Sequence, residues 1–205
     1  MKAAALSALV AALICYPVSG HALNAAQKPN ADELKKLPSF CQVRVKYFGT
    51  GKDGPDQRKW KELLGPDYQH LHHYCFGLNW LTNRANSYGL TIGERKFCLR
   101  RAVDEFSYTI KFSSRKFKLL PEAFLLRATA YYGLGKFDLA VNDLVEALAI
   151  KPDYVKAYAL LADSLMALGD AREAQKVLKL GVSKTNGSKL LLQKLKDLQD
   201  STKTK

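Results

Sequence analysis

The feature that most constrains this chain is its self-similarity: shifted by 34 residues, it overlays itself. Phe124 then meets Tyr158, Ala128 meets Ala162, Tyr131 meets Leu165, Gly135 meets Gly169, Ala140 meets Ala174, Leu144 meets Leu178, and Ala147 meets Gly181. A fixed period of this length marks stacked units, each too small to bury its apolar face alone. Large and small residues recur where two antiparallel helices must cross: bulky groups fill the space between them, while Ala128, Ala140 and Ala147 let the backbones approach. Gly135 and Gly169 fall between the helices of each pair, where a residue able to take positive φ closes the turn.

The run Pro121 to Tyr154, PEAFLLRATAYYGLGKFDLAVNDLVEALAIKPDY, resembles the tetratricopeptide repeat at nearly every signature position. Residues 155–187 fit more loosely: Ala171 replaces the usual aromatic, Gly181 replaces alanine, and Asn186 stands where Pro152 ended the previous unit. Beyond them the template meets the charged Lys196, while Leu192 and Leu195 still offer an apolar face, so residues 188–205 read as a capping helix that starts at Ser188 and ends in a basic tail. Upstream, residues 66–120 read as a degenerate hairpin with His73, Gly77 and Trp80 on its first helix and Ala102, Phe106 and Thr109 on its second. Its connection, around 83–93, is long, and Thr91 followed by Glu94 forms a capping-box string that restarts the helix. Residues 23–65 form an N-terminal arm with a Gly-rich turn at 49–54 and an amphipathic piece at 56–64. The resemblance implies an all-α chain: a right-handed α-α superhelix of antiparallel helix pairs (repeats at 121–154 and 155–187), with an irregular arm before it and a cap after it. The arm and hairpin are also similar to a group of exported bacterial tetratricopeptide proteins carrying the string HLHHYC, here His70 to Cys75, which adds an envelope location but no activity.

Residues 1–22 carry one lysine, an apolar run to Ile14, and small residues at Gly20 and Ala22, the layout of a cleavable secretory signal. The run is too short to span a bilayer, and no later segment is longer, so stable membrane insertion is not expected. A lipid anchor at Cys15 is the competing reading. The expected localisation is periplasmic or secreted, where disulfides persist. Beyond the signal three cysteines remain, an odd number. Cys98 shares a helical face with Ala102 and Phe106 and reads as a small buried hydrophobe. Cys41 and Cys75 are then the expected pair, with a Cys75–Cys98 bridge as the alternative.

The chain carries net charge +13, which draws anionic partners; in an exported protein these are acidic protein segments or envelope polymers, not nucleic acid. Arg95, Lys96, Arg100, Arg101, Arg115, Lys116 and Lys118 form a candidate basic face, interleaved with Phe97, Phe106, Phe112 and Phe117. His70, His72 and His73 beside Cys75 are ligand-type side chains. On a helix, though, His72 points away from the face that His70 and His73 share, so metal or redox binding through His70, His73 and Cys75 is a weak alternative and no cofactor is expected. Nucleophile-elbow, zincin, phosphate-loop and haem-attachment strings are all missing; the chain reads as a binding scaffold, not an enzyme. The resemblance further implies that the first helix of each pair lines a concave groove, here Glu122, Leu125, Thr129 and Tyr132, then Lys156, Ala159, Asp163 and Met166. It lacks the Lys and Asn pattern that clamps a terminal carboxylate, so a protein or peptide segment held by mixed apolar and polar contacts is the expected partner.

Overall fold

The computed structural model describes residues 28–52 and 54–203, and every regular element among them is helical. The expected signal segment, with Cys15, lies outside the described residues, as does the start of the arm. The chain divides into two compact units between Lys118 and Leu119.

In the N-terminal unit, short helices α1 (Ala31–Lys35), α2 (Ser39–Tyr47) and α3 (Pro55–Leu64) lead through a 3-10 turn (Pro66–His70) into α4 (Leu71–Leu78). A π-helical segment (Asn79–Arg84) prolongs α4, and α5 (Ile92–Phe112) completes the hairpin. The arm is thus more helical than a loop-like reading suggests. Local sequence explains α1, where Asn30 accepts from the Asp32 and Glu33 amides and Glu33 accepts from the Asn30 amide in a full capping box. Tertiary contact explains α2, whose Cys41 and Val45 are buried. Glu33 also clamps the arm to the hairpin, accepting from Arg84 Nε at 2.9 Å and from Asn79 Nδ2 at 3.2 Å. Thr91 and Glu94 form the capping box their spacing predicted. At the hairpin crossing a Cβ on Gly77 would stand 3.0 Å from the Phe106 ring, so only a glycine lets α4 and α5 approach this closely.

Cys41 and Cys75 are joined, tying α2 to α4. The reading of Cys98 as a leftover thiol is corrected: it is fully buried, as expected, but it too is disulfide-bonded, and no described cysteine is free.

The C-terminal unit is a solenoid of α6 (Leu120–Gly133), α7 (Phe137–Ile150), α8 (Val155–Ala167), α9 (Ala171–Lys184) and α10 (Lys189–Lys203), each packed on the next. Gly135 and Gly169, at φ +75° and +86°, close the turns within the pairs. The Lys136 and Asp170 amides, also 34 residues apart, each donate at 2.9 Å to the carbonyl five residues back, those of Tyr131 and Leu165, so the two helix ends are built alike. Ala128, Ala140, Ala147 and Ala174 are fully buried at the crossings. Gly181 departs from the alanine pattern because a Cβ there would meet Tyr158 Cγ at 2.7 Å and Leu191 Cδ1 at 2.9 Å. The larger ring of Tyr158, where the first repeat has Phe124, and the incoming cap together take the methyl's space. Leu191 and Leu198 are the buried face of α10, while Leu192 is exposed. The expected Leu192 and Leu195 face is therefore rotated, because the repeat template does not hold in the cap.

Candidate functional site

Six of the eight predicted groove residues line one cleft of about 370 Å³: Glu122, Leu125 and Thr129 from α6, and Lys156, Ala159 and Asp163 from α8. Leu125 and Ala159, only 7% and 8% exposed, are its floor, and the exposed Thr129 and Lys156 are its rim. The side chains reach one surface because first-helix positions of successive pairs lie one period apart, Leu125 with Ala159 and Thr129 with Asp163. Met166 lies in an adjoining cleft of about 250 Å³ that shares Asp163. Tyr132 lines neither; it sits at the end of α6 with its ring edge-on to Phe137 at 5.1 Å.

Besides Leu126 and Leu160, which neighbour predicted positions, sequence reasoning missed three residues from outside the repeat pattern, two that line this cleft and Lys194, which lines the adjoining one. Tyr154 enters from the turn before α8 and Leu190 from the cap. Lys194, also from the cap, donates to both carboxylate oxygens of Asp163 at 2.6 and 2.9 Å and so offsets its charge. The repeat pattern carries no signal for them, since they sit in a connection and in a helix that leaves the template. Burial, with the Glu122 charge adding to it, pushes the Tyr154 phenol up to about 12, so at neutral pH it remains a hydrogen-bond donor. Arg127 bridges α6 and α7, donating to Asp143 at 2.8 Å from Nε and 2.6 Å from Nη2. Burial opposes the Arg127 charge, but the Asp143 bonds and charge outweigh it and raise the guanidinium above its usual value. The result is a fixed apolar floor with a polar rim of both signs, suited to gripping a chain segment.

The expected basic face lies in the N-terminal unit. Arg95, Lys96 and Arg100 are exposed along α5, as are Arg115, Lys116 and Lys118 after it. Arg101 is drawn inward instead, toward Asp104 at 3.1 Å and Glu105 at 3.8 Å, with Trp80 6.0 Å from its guanidinium. Phe106 and Phe117 are core residues, whereas Phe112 is exposed.

The histidines are held by other groups. His73 Nδ1 lies 2.7 Å from Glu105 Oε2, and its ring stacks on Tyr108 at 3.7 Å. His70 packs on Phe112 at 5.8 Å and His72 on Phe48 at 4.2 Å. The His72 ring, stacked on Phe48 of the arm, also lies 4.2 Å from that of His73. Burial, helped by the charges of His73 and Arg44, lowers His72 to about 3. The sulfur of Cys75 is committed to its disulfide.

A family model described as "Tetratricopeptide repeat" matches residues 131–197. No curated protein matches. Among solved structures, one titled as the first tetratricopeptide repeat domain of Spaghetti bound to an HSP90 peptide aligns at 21% identity with a TM-score of 0.46. The alignment covers 62% of this chain and 94% of that one.

Proposed function

The chain carries tetratricopeptide repeats in its C-terminal unit, and from this we propose that it is a non-enzymatic scaffold whose α6–α8 cleft holds a segment of a partner protein. The observation that carries the reading is the single cleft formed by first-helix residues of both repeats, Leu125 and Ala159 at its floor and Glu122, Thr129 and Lys156 around them. An extended or helical peptide can lay apolar side chains on that floor and bond its polar groups to the rim. Oppositely charged groups at the rim favour a partner of mixed charge there. The excess of basic residues over the chain as a whole raises encounter rates with acidic proteins. The signal-like residues 1–22 and the Cys41–Cys75 bridge support a reading in which the scaffold is exported and works in the periplasm or outside the cell, in assembly of envelope or secreted structures.

Capture from envelope extract tests the binding reading. Native protein is compared with a Thr129→Arg, Lys156→Glu double variant, which changes exposed rim positions and spares the buried floor. Loss of the captured set in the variant supports the cleft as the binding site; an unchanged set refutes it. N-terminal sequencing after expression of the whole chain tests export, with a mature start at Leu23 expected and retention of Met1 contradicting it.

A further inference from the structure

The two most exposed large apolar side chains among the described residues, Tyr88 and Ile92, stand four positions apart at one tip of the N-terminal unit; Tyr88 is fully exposed and Ile92 77% exposed. The tip consists of the connection 85–91 and the first residue of α5, and both of its feet are fixed. On one side Asn86 Nδ2 donates to the Leu81 and Thr82 carbonyls at 3.3 and 3.1 Å, and Ser87 Oγ donates to the Asn83 carbonyl at 3.0 Å. Gly89 turns the chain at φ +79°, and the Thr91–Glu94 capping box holds the other side. An apolar residue just before such a box commonly packs on the fourth residue of the helix. Here that residue is Arg95, so Leu90 has no such staple. Arg95, Lys96 and Arg100 stand exposed directly behind the tip, and their side chains have no hydrogen-bond or ion-pair partner among the described residues. Lys96 and Arg100 follow Ile92 at four-residue steps and so share its side of α5. The carboxylates nearby are engaged: Glu94 accepts from the Thr91 amide and hydroxyl at 2.8 and 2.7 Å, and Asp104 accepts from Arg101 at 3.1 Å. On α1, which packs on the π-helical segment, Glu33 is paired with Arg84 and Asp32 with Lys35. From 85 to 103, four basic side chains face one acidic one.

We infer that this tip docks on the surface of an anionic lipid bilayer, with Tyr88 and Ile92 seated among the headgroups and Arg95, Lys96 and Arg100 against the lipid phosphates. An apolar tip backed by cations matches the layering of that surface, where peripheral segments seat about 5–10 Å deep and amphipathic rings such as tyrosine sit at headgroup level. The spacing agrees: along the helix axis Lys96 lies about 6 Å behind Ile92 and Arg100 about 12 Å, so the charges remain at the phosphates when the tip enters. Arginine adds paired N–H donors suited to a phosphate group. A soluble acidic polymer would engage the same cations but gives Tyr88 and Ile92 no apolar medium to enter. No helix among the described residues is long and apolar enough to cross a membrane, so the contact is peripheral.

Sedimentation of the full chain with vesicles of phosphatidylcholine mixed with phosphatidylglycerol, compared with phosphatidylcholine alone, tests this. Residues 1–22 are common to every variant, so differences between variants belong to the tip. Tyr88→Ser, Ile92→Ser should weaken partitioning to the mixed vesicles about tenfold or more. Lys96→Gln, Arg100→Gln should weaken it about fivefold for each charge removed. Lys116→Gln, an exposed cation beyond the other end of α5, should stay within about twofold, because that end lies about 30 Å from the tip, well past the screening length. Depth is read separately with Tyr88→Trp, whose fluorescence should be quenched by lipid brominated in its acyl chains beyond any quenching of the native Trp60 and Trp80. No added quenching in Tyr88→Trp, or an equal loss in Lys116→Gln and Lys96→Gln, overturns the proposal. Partitioning that falls with the charge changes but not with Tyr88→Ser, Ile92→Ser overturns it in favour of diffuse attraction to any anionic polymer.

Discussion

Breaking the Cys41–Cys75 bridge with a Cys41→Ala, Cys75→Ala double variant releases a loop whose ends are 34 residues apart. The chain-entropy relation assigns closure of such a loop about 12.6 cal/mol/K, or about 3.8 kcal/mol at 25 °C. Both cysteines are fully buried, so the lost sulfur contacts add to that figure. A loss of this size is a large share of the stability of an ordinary domain. The chain has a built-in reporter, since its two tryptophans, Trp60 and Trp80, both lie in the N-terminal unit. Urea unfolding followed by tryptophan fluorescence should therefore show the transition moving to lower denaturant by an amount equivalent to about 4 kcal/mol. A shift worth under about 1 kcal/mol would refute the argument; it would mean that Glu33, Arg84 and the buried face of α2 hold the arm without help from the bridge.

Other perturbations probe other parts. Gly181→Ala drives a methyl into Tyr158 and Leu191 and should cost about 1–3 kcal/mol, seen as a lower thermal midpoint; an unchanged midpoint would mean the cap yields freely. Arg127→Leu leaves the Asp143 carboxylate buried without its partner, a loss of about 3 kcal/mol that the Arg127→Leu, Asp143→Leu double variant should largely recover in the same melt. His72, held to about 3 when folded against about 6.5 when unfolded, takes up its proton only on unfolding between those values, so stability falls as pH drops through that window. Between pH 6.5 and 5 its share is about 2 kcal/mol, discounted to about 1–2 for partial solvent contact. His72→Phe, which keeps the ring against Phe48, should flatten the dependence of the tryptophan-monitored midpoint on pH; an unaltered slope would acquit this residue.

The legible parts of the chain are those where one local rule repeats. Gly135 and Gly169 announced their turns because positive φ is costly for other residues, and the small residues from Ala128 to Ala174 announced the crossings because nothing larger fits. Thr91 and Glu94 marked their helix start through a contact three residues long. Features made by residues far apart stayed hidden: α2 shows little helical patterning and is held by burial and its bridge. The Glu33–Arg84 clamp spans 51 residues. The groove was legible where the repeat template holds and illegible where the cap intrudes, which is why Leu125 and Ala159 fell in place while Leu190 and Lys194 were missed.

The central claim, that the α6–α8 cleft grips a partner segment, is tested most directly by hydrogen–deuterium exchange on the full chain with a peptide selected for binding from a random display library. The peptide should slow exchange in α6 and α8, most of all around Thr129 and Lys156, and its affinity should fall in the Thr129→Arg, Lys156→Glu variant but not in Val145→Lys, which alters an exposed position on α7. Protection confined to α7 and α9, or affinity lost equally in both variants, would contradict the account.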